Sequence, residues 1–374
     1  MSSFFSNNLS YKQKINSIDK SFPSACSEWE NYIDHKTIFF NFLNMQQEWL
    51  LENANITYKE TSNKSYADLL KIQLKIINPY FIVVSHVETL KTKYPEIIIL
   101  IKELNIKLIA WYGAPIDYKY FIDYDAVLSI NQVLYNKLKK SGYKKTFILK
   151  HAFPTSALTK TDNETKDIKL SFIGSLLDYD KFHSERIKLV RFLFNNIDIS
   201  IFSEKIIDSN LLFEIKINLL SYKQKLLHRL RLNREVHPNE NFYKKTLESI
   251  RFQKSFLPPV FGLEYFQILS NSLISLNKHI SYTSNLCANM RLYEATGVGS
   301  CLLTEHLTDI EEYFKPDSEI VTYKSREEAL EKANYLLSNE KVALEIGKAG
   351  QKRTLSCYTS KQQAKSFTEI LKKI

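Results

Sequence analysis

The sequence predicts an α/β protein of two doubly wound domains facing across a cleft, the second interrupted by a helical insertion. Three observations predict it. The chain has 374 residues, too many for one ordinary core and enough for two domains. Its apolar runs are short, rich in Ile, Val and Phe, and mostly continuous rather than alternating, as parallel strands covered on both faces require. Segments of helical character separate these runs, and alternating β and α is the pattern of a doubly wound sheet.

In chain order, strands are expected at Thr37–Phe42, Ile56–Lys59, Phe81–Ser85, Lys107–Trp111, Ala126–Ile130 and Thr146–Leu149. Helices are expected between them, at Ser65–Ile77 and at Gln132–Ser141, which Gly142 stops as a C-cap. His151–Lys169 holds Pro154 and the polar run TKTDNETKD, and is the expected linker. A second series follows: strands Leu170–Ile173, Ile197–Phe202, Ser272–Leu276 and Ser300–Leu303, with helices His183–Phe194, Leu263–Leu269 and Ala288–Thr296. The tail is expected to be helical over Arg326–Ser338, Glu340–Ser356 and Ser360–Ile374. The expected domains are 1–155 and 165–358, with the basic helical insertion over about 204–256 and a last helix over 359–374.

Apolar residues at 44% and charged residues at 25% are globular values. The formal charge of +10 would attract anions. The excess is dense only at Lys139–Lys140, Lys144–Lys145 and Lys223–Arg234, no nucleic-acid motif accompanies it, and nucleic acid is not an expected partner. None of the four cysteines stands in a CxxC pair, which leaves no zinc or disulfide framework to expect. The start, MSSFFSNNLS, lacks the basic region and apolar core of a signal peptide. No apolar run approaches the ~20 residues of a spanning helix, so a cytoplasmic protein is expected. Lys223–Arg234 reads in two ways. It is either a solvated helix packing Leu226, Leu227 and Leu230 on its domain, or a peripheral contact with the inner face of an anionic membrane.

The strongest local signal is NMRLYEATGVG, Asn289 to Gly299. On a helix, Arg291 and Glu294 share a face. A helix starting near Ala288 would offer free N–H groups and its positive dipole end to an anion, while the Glu294 carboxylate accepts from two neighbouring sugar hydroxyls, as in a ribose diol. The alternative is a surface ion pair of little energetic consequence. A second, weaker signal is LSFIGS, where a strand ending at Gly174 brings backbone close to a ligand. No GxSxG, P-loop or HExxH is present. The DxD matches, Asp123 with Asp125 and Asp178 with Asp180, are too short to indicate a metal, and neither metal nor cofactor is expected.

The block SNSLISLNKHISYTSNLCANMRLYEATGVGSCLLTEHLTDIEEYF resembles the donor-binding half of GT-B glycosyltransferases, and more closely the CgeB-like "glycosyl transferases group 1" branch. The similarity continues through SREEALEKANYLLSNEKVALEIGKAGQKRTL and takes in FIGS, FGLEYFQIL and LNKHI; WYGAP, YDAVLSI and ILKHAFP resemble the same branch's N-terminal domain. The resemblance implies two Rossmann-like domains, a nucleotide-sugar donor as substrate, and transfer of its sugar to a glycan, lipid-linked or protein acceptor in surface-glycan or glycoconjugate synthesis. Carried over, Glu294 binds the donor ribose, Asn289 and Arg291 lie beside the diphosphate, Gly174 and Ser175 face the donor, and His279 projects from a strand end towards it. The last helix of that fold crosses back to the first domain. Many retaining members carry an earlier acid in an E-x7-E pattern, but eight residues before Glu294 stands Leu286. An inverting route needs a base near the acceptor; His86 and Asp117 are the leading candidates, and His151, at the linker, is a third. A nucleotide-sugar epimerase on the same fold and a non-catalytic nucleotide-sugar or charged-surface binding protein are the alternatives.

Overall fold

The computed structural model describes residues 10–34, 43–85, 87–113, 117–160, 165–177, 183–205, 215, 219–220, 222–223, 247–279, 286–287 and 289–374. The N-terminal half contains α1 (Tyr11–Ser21), α2 (Leu43–Asn53), α3 (Tyr58–Thr61), α4 (Tyr66–Ile77), β1 (Phe81–Val84), α5 (Val87–Lys93), α6 (Pro95–Glu103), β2 (Lys107–Tyr112), β3 (Ala126–Ser129), α7 (Gln132–Lys140) and β4 (Thr146–Ile148). The second half contains β5 (Ile168–Ile173), α8 (Ser184–Phe194), β6 (Ser200–Phe202), α9 (Gly262–Asn271), β7 (Ser272–Asn277), α10 (Arg291–Gly297), β8 (Cys301–Glu305), β9 (Val321–Tyr323), α11 (Arg326–Ser338), α12 (Glu340–Cys357) and α13 (Ser360–Leu371).

Two parallel sheets result, in the orders β1-β2-β3-β4 and β6-β5-β7-β8-β9. Successive residues of β2 show why the apolar runs are continuous. Leu108 and Ala110 pack with residues of α4–α7, whereas Ile109 packs on the opposite face with Trp29 and Phe367. A strand buried on both faces has no polar side to alternate with. The helices are bounded by local chemistry. Ser65 and Asp68 form a capping box at the start of α4, and Asn78 ends it in the left-handed region at φ 44°.

The chain ends on the first sheet. The Phe367 ring of α13 stacks on Trp29 with centroids 4.8 Å apart and meets Phe81 edge-on at 5.3 Å. Trp29 Nε1 donates to Gln363 Oε1 at 3.0 Å, and Gln363 Nε2 donates to the Lys150 carbonyl at 2.7 Å. The stretch expected as a linker is anchored as well. Phe153 N donates to the Tyr358 carbonyl at 2.7 Å, and Glu28 accepts the Thr155 and Ser156 amides at 3.0 and 2.6 Å.

Two expectations are corrected. Ile56–Lys59 is not a strand, because Thr57 and Glu60 form a capping box that starts the single turn α3. Strand β9 was not anticipated: three residues between turns give no periodicity. The expected strand Thr37–Phe42 and most of the basic insertion lie outside the described residues; of the insertion, residues 247–254 are helical. No described helix is long and apolar enough to cross a membrane.

Candidate functional site

The strand order of the second sheet reverses at β5, which has β6 on one side and β7 on the other. Beyond the carboxyl ends of such strands the chain diverges to either face and leaves a crevice. A cavity of about 550 Å³ occupies this place, lined from the second half by Gly174, Arg186, His279, Arg291 and Glu294 and from the first by Ile130 and His151.

Gly174 follows β5 at φ 152°, a conformation that favours glycine, and its N–H donates to the Phe202 carbonyl at 3.1 Å. Arg186, on α8, is nearly buried. It donates to the Ser175 carbonyl at 3.3 Å and the Lys278 carbonyl at 3.0 Å. Arg291, at the start of α10, donates to the Ile173 carbonyl at 2.5 Å and lies over the Tyr265 ring at 5.0 Å. The two guanidinium groups sense one another: burial first, then Arg291, lowers Arg186 to about 10. Two cations lining one cavity can together hold an anion of more than one charge.

Glu294 stands on the same face of α10. Its Oε2 accepts from the Tyr265 hydroxyl at 2.5 Å and lies 3.8 Å from Arg291 Nε. Burial raises its pKa, opposed by Arg291 and the Tyr265 hydrogen bond. Oε1 makes no hydrogen bond among the described residues. Asn289 bridges the motif to β7: Nδ2 donates to Asn277 Oδ1 at 2.8 Å and Oδ1 accepts the Arg291 amide at 2.9 Å. His279, just past β7, is 4% exposed, and neither ring nitrogen has a hydrogen-bond partner among the described residues. Burial, then Arg186 and Lys278, lowers it to about 3, so it is neutral.

Of the expected donor-side residues, Gly174, Ser175, His279, Asn289, Arg291 and Glu294 all line this cavity. The expected source of positive charge is corrected. Helix α10 starts at Arg291 and has seven residues, and its first amides are occupied: Arg291 N by Asn289 Oδ1 and Leu292 N by the Asn289 carbonyl. The cationic character of the cavity therefore comes from side chains, not from a free helix end; Ala288 lies outside the described residues. Asp117 is also corrected. It caps a short 3-10 turn at the surface, accepts the Lys119 amide at 3.0 Å and pairs with Lys119 Nζ at 3.1 Å, and does not line the cavity. Those hydrogen bonds hold it below the usual carboxylate range. His86 and the pair Asp178 and Asp180 lie outside the described residues, while Asp123 is engaged by Lys91 and Lys102. Arg186 and Tyr265 are the residues that sequence reasoning missed. An arginine on an amphipathic helix reads as surface charge, and only the LEYF fragment hinted at the tyrosine.

Residues 223–369 match the family model described as glycosyl transferase-like. Over that stretch the chain is similar to glycosyl transferase-like proteins. Solved structures show the fold to be GT-B. Sucrose-phosphate synthase from Thermosynechococcus elongatus superposes with a TM-score of 0.53 at 9% identity, over 85% of this chain and 79% of that one. HepE of Anabaena, solved with UDP and glucose, gives 0.53 at 10% identity over 82% of each chain. A glycosyltransferase from Rickettsia africae gives 0.52 at 12% identity over 96% of this chain and 87% of that one. No curated protein matches this chain.

Proposed function

We propose that the chain transfers a sugar from a nucleoside-diphosphate-linked donor, held by the second domain, to an acceptor hydroxyl presented from the first. The observation that carries the proposal is the joint placement of Arg186, Arg291 and Glu294 on one cavity at the sheet's switch point. The two guanidinium groups take the diphosphate, whose charge grows as the C1–O bond breaks, so that they favour the transition state over the ground state. The free oxygen of Glu294 takes the ribose hydroxyls. The motif Asn289–Gly299 supports assignment to the CgeB-like branch, and HepE, which binds UDP-glucose, supports a nucleotide-sugar donor.

His151 is the titratable residue that the first half brings to the cavity among the described residues. It lies 6.3 Å from the Trp111 ring, and burial lowers it to about 4, which keeps a lone pair available at neutral pH. A bound diphosphate raises its proton affinity. In the proposed step, the acceptor oxygen bonds to the anomeric carbon, the C1–O bond to the diphosphate breaks with its electron pair leaving on the diphosphate, and the acceptor proton passes to His151. With Leu286 in place of an earlier acid, the support favours this single displacement. The test is a thermal-shift screen of UDP, GDP, ADP and CDP. At least one raises the melting temperature of the wild type, and Arg291→Ala loses that rise. No rise with any of the four sinks the proposal.

A further inference from the structure

We infer that the first half carries a docking face, towards the amino ends of β2, β3 and β4, that seats on an anionic lipid bilayer. The inference goes beyond the transfer reading and does not depend on it. It places the contact on a different surface from Lys223–Arg234.

The three strands are parallel, so the segments that enter them meet at one end of the sheet. Residues 102–106 precede β2, 122–125 precede β3 and 139–145 precede β4. The cavity lies at the other end, where Ile130 and His151 follow β3 and β4. Side chains tie the entering segments into one surface. Lys102 and Lys91 reach Asp123 at 2.8 and 3.0 Å, and Lys91 also donates to the Lys119 carbonyl at 2.9 Å. The Tyr143 hydroxyl donates to the Tyr118 carbonyl at 2.8 Å.

Large apolar side chains stand out of this surface. Ile122 is 66% exposed, Tyr118 56%, and Ile99, one turn before Lys102 on α6, 57%. Their neighbours Ile98, Leu100 and Phe121 fill the core. A single exposed apolar residue is ordinary, but three on one linked surface mark an interaction site. The charge around them is positive. Residues 91–145 hold ten lysines against five acids. The aspartates are already engaged: Asp117 by Lys119, Asp123 by Lys91 and Lys102, and Asp125 by Lys107. Lys139, Lys140 and Lys144 are exposed and have no acidic partner among the described residues, and Lys139 Nζ donates to the Lys144 carbonyl at 2.7 Å.

A bilayer interface takes both kinds of group. Lysine heads lie among the headgroup phosphates, while isoleucine and tyrosine reach the acyl boundary. A soluble acidic polymer would neutralise the lysines and leave the isoleucines in water. Docked this way, the chain holds its cavity about 20 Å from the bilayer, the length of the six-residue β2. The face therefore anchors the chain and does not itself feed an acceptor to the cavity.

The experiment is co-sedimentation with vesicles of phosphatidylcholine alone or of equal parts phosphatidylcholine and phosphatidylglycerol. The wild type sediments with the mixed vesicles and not with phosphatidylcholine. Lys139→Gln, Lys140→Gln and Lys144→Gln together weaken this binding by roughly a hundredfold, about fivefold for each lysine. Ile122→Ser weakens it at least about fivefold through lost apolar contact. All four side chains are exposed, so the fold is retained, and melting curves check this. Lys341→Gln, Lys348→Gln and Lys352→Gln together remove the same charge from exposed positions of α12 and change binding by about twofold at most. Three results overturn the inference: no sedimentation with the mixed vesicles, an equal loss in the α12 variant, or binding that persists in the Lys139, Lys140 and Lys144 variant, as a contact through Lys223–Arg234 would give.

Discussion

Replacing Glu294 by alanine tests the site most directly. One carboxylate oxygen is committed to Tyr265, and in the proposed donor pose the other takes the ribose diol. A hydrogen bond to a charged acceptor is worth about 1.5–3 kcal/mol. Two hydroxyls sharing one oxygen then contribute about 2–4 kcal/mol, or roughly 30- to 700-fold in Kd. With nucleotide at a hundred times the wild-type Kd, binding stabilises the wild type by about 2.7 kcal/mol, whereas a variant binding a hundredfold more weakly gains about 0.4 kcal/mol. For a domain of this size each kcal/mol moves the midpoint by about 2–4 °C. The expected ligand-induced shifts are therefore roughly 5–11 °C for the wild type and about 1 °C for Glu294→Ala, each read against its own unliganded baseline by differential scanning fluorimetry. The 2′-deoxy form of the same nucleotide loses part of the wild-type shift and none of the variant's. A full shift in Glu294→Ala, or indifference of the wild type to the 2′-hydroxyl, refutes the ribose assignment.

Four further outcomes follow from the packing and the charges. Gly297→Ala places a Cβ 2.5 Å from Phe153 Cγ, in a core where Phe153 is fully buried; overpacking of this kind costs about 1–3 kcal/mol, readable in urea unfolding, and an unchanged midpoint contradicts it. Phe367→Ala removes the ring stacked on Trp29 and is expected to cost about 3–5 kcal/mol; a loss below about 1 kcal/mol in the same assay means that α13 does not hold the first sheet. His279 is neutral in the folded chain down to about pH 3, while an unfolded imidazole takes its proton near pH 6.5. The unfolded state thus binds more protons between these values, and stability falls as pH drops below about 6.5; His279→Gln flattens part of this fall in melting curves at pH 7, 5 and 4, and an unaltered slope refutes it. His151→Asn lowers the rate of nucleotide release from the preferred donor by at least ~100-fold with nucleotide Kd within about twofold; an unchanged rate removes His151 as the base.

Much of the fold was legible because double burial leaves a mark on composition. Strands β2 and β3 are apolar on successive residues, and β5 and β7 are buried on successive residues even where Ser171 and Ser275 interrupt the apolar run, since each face is covered. Short elements were not legible. At Ile56 a β-like residue is overruled by the Thr57–Glu60 cap, and β9 is too brief for any period to show. The motif Asn289–Gly299 marked Arg291 and Glu294 through spacing, since residues three apart on a helix share a face, and the resemblance to GT-B enzymes chose the donor reading over a surface ion pair. Nothing local marked Arg186, whose neighbours in sequence are those of an ordinary amphipathic helix.

The sequence by itself determined the two α/β series and the helix that carries Arg291 and Glu294, because burial pattern and capping act over a few residues. Only the tertiary structure decided what stands opposite that helix. The reversal of strand order at β5 brings Arg186 and Arg291 together from positions more than a hundred residues apart; it adds His151 from the first half and leaves Asp117 at the surface, tied to Lys119. Such convergence is a property of chain crossing and sheet topology, which no local spacing encodes.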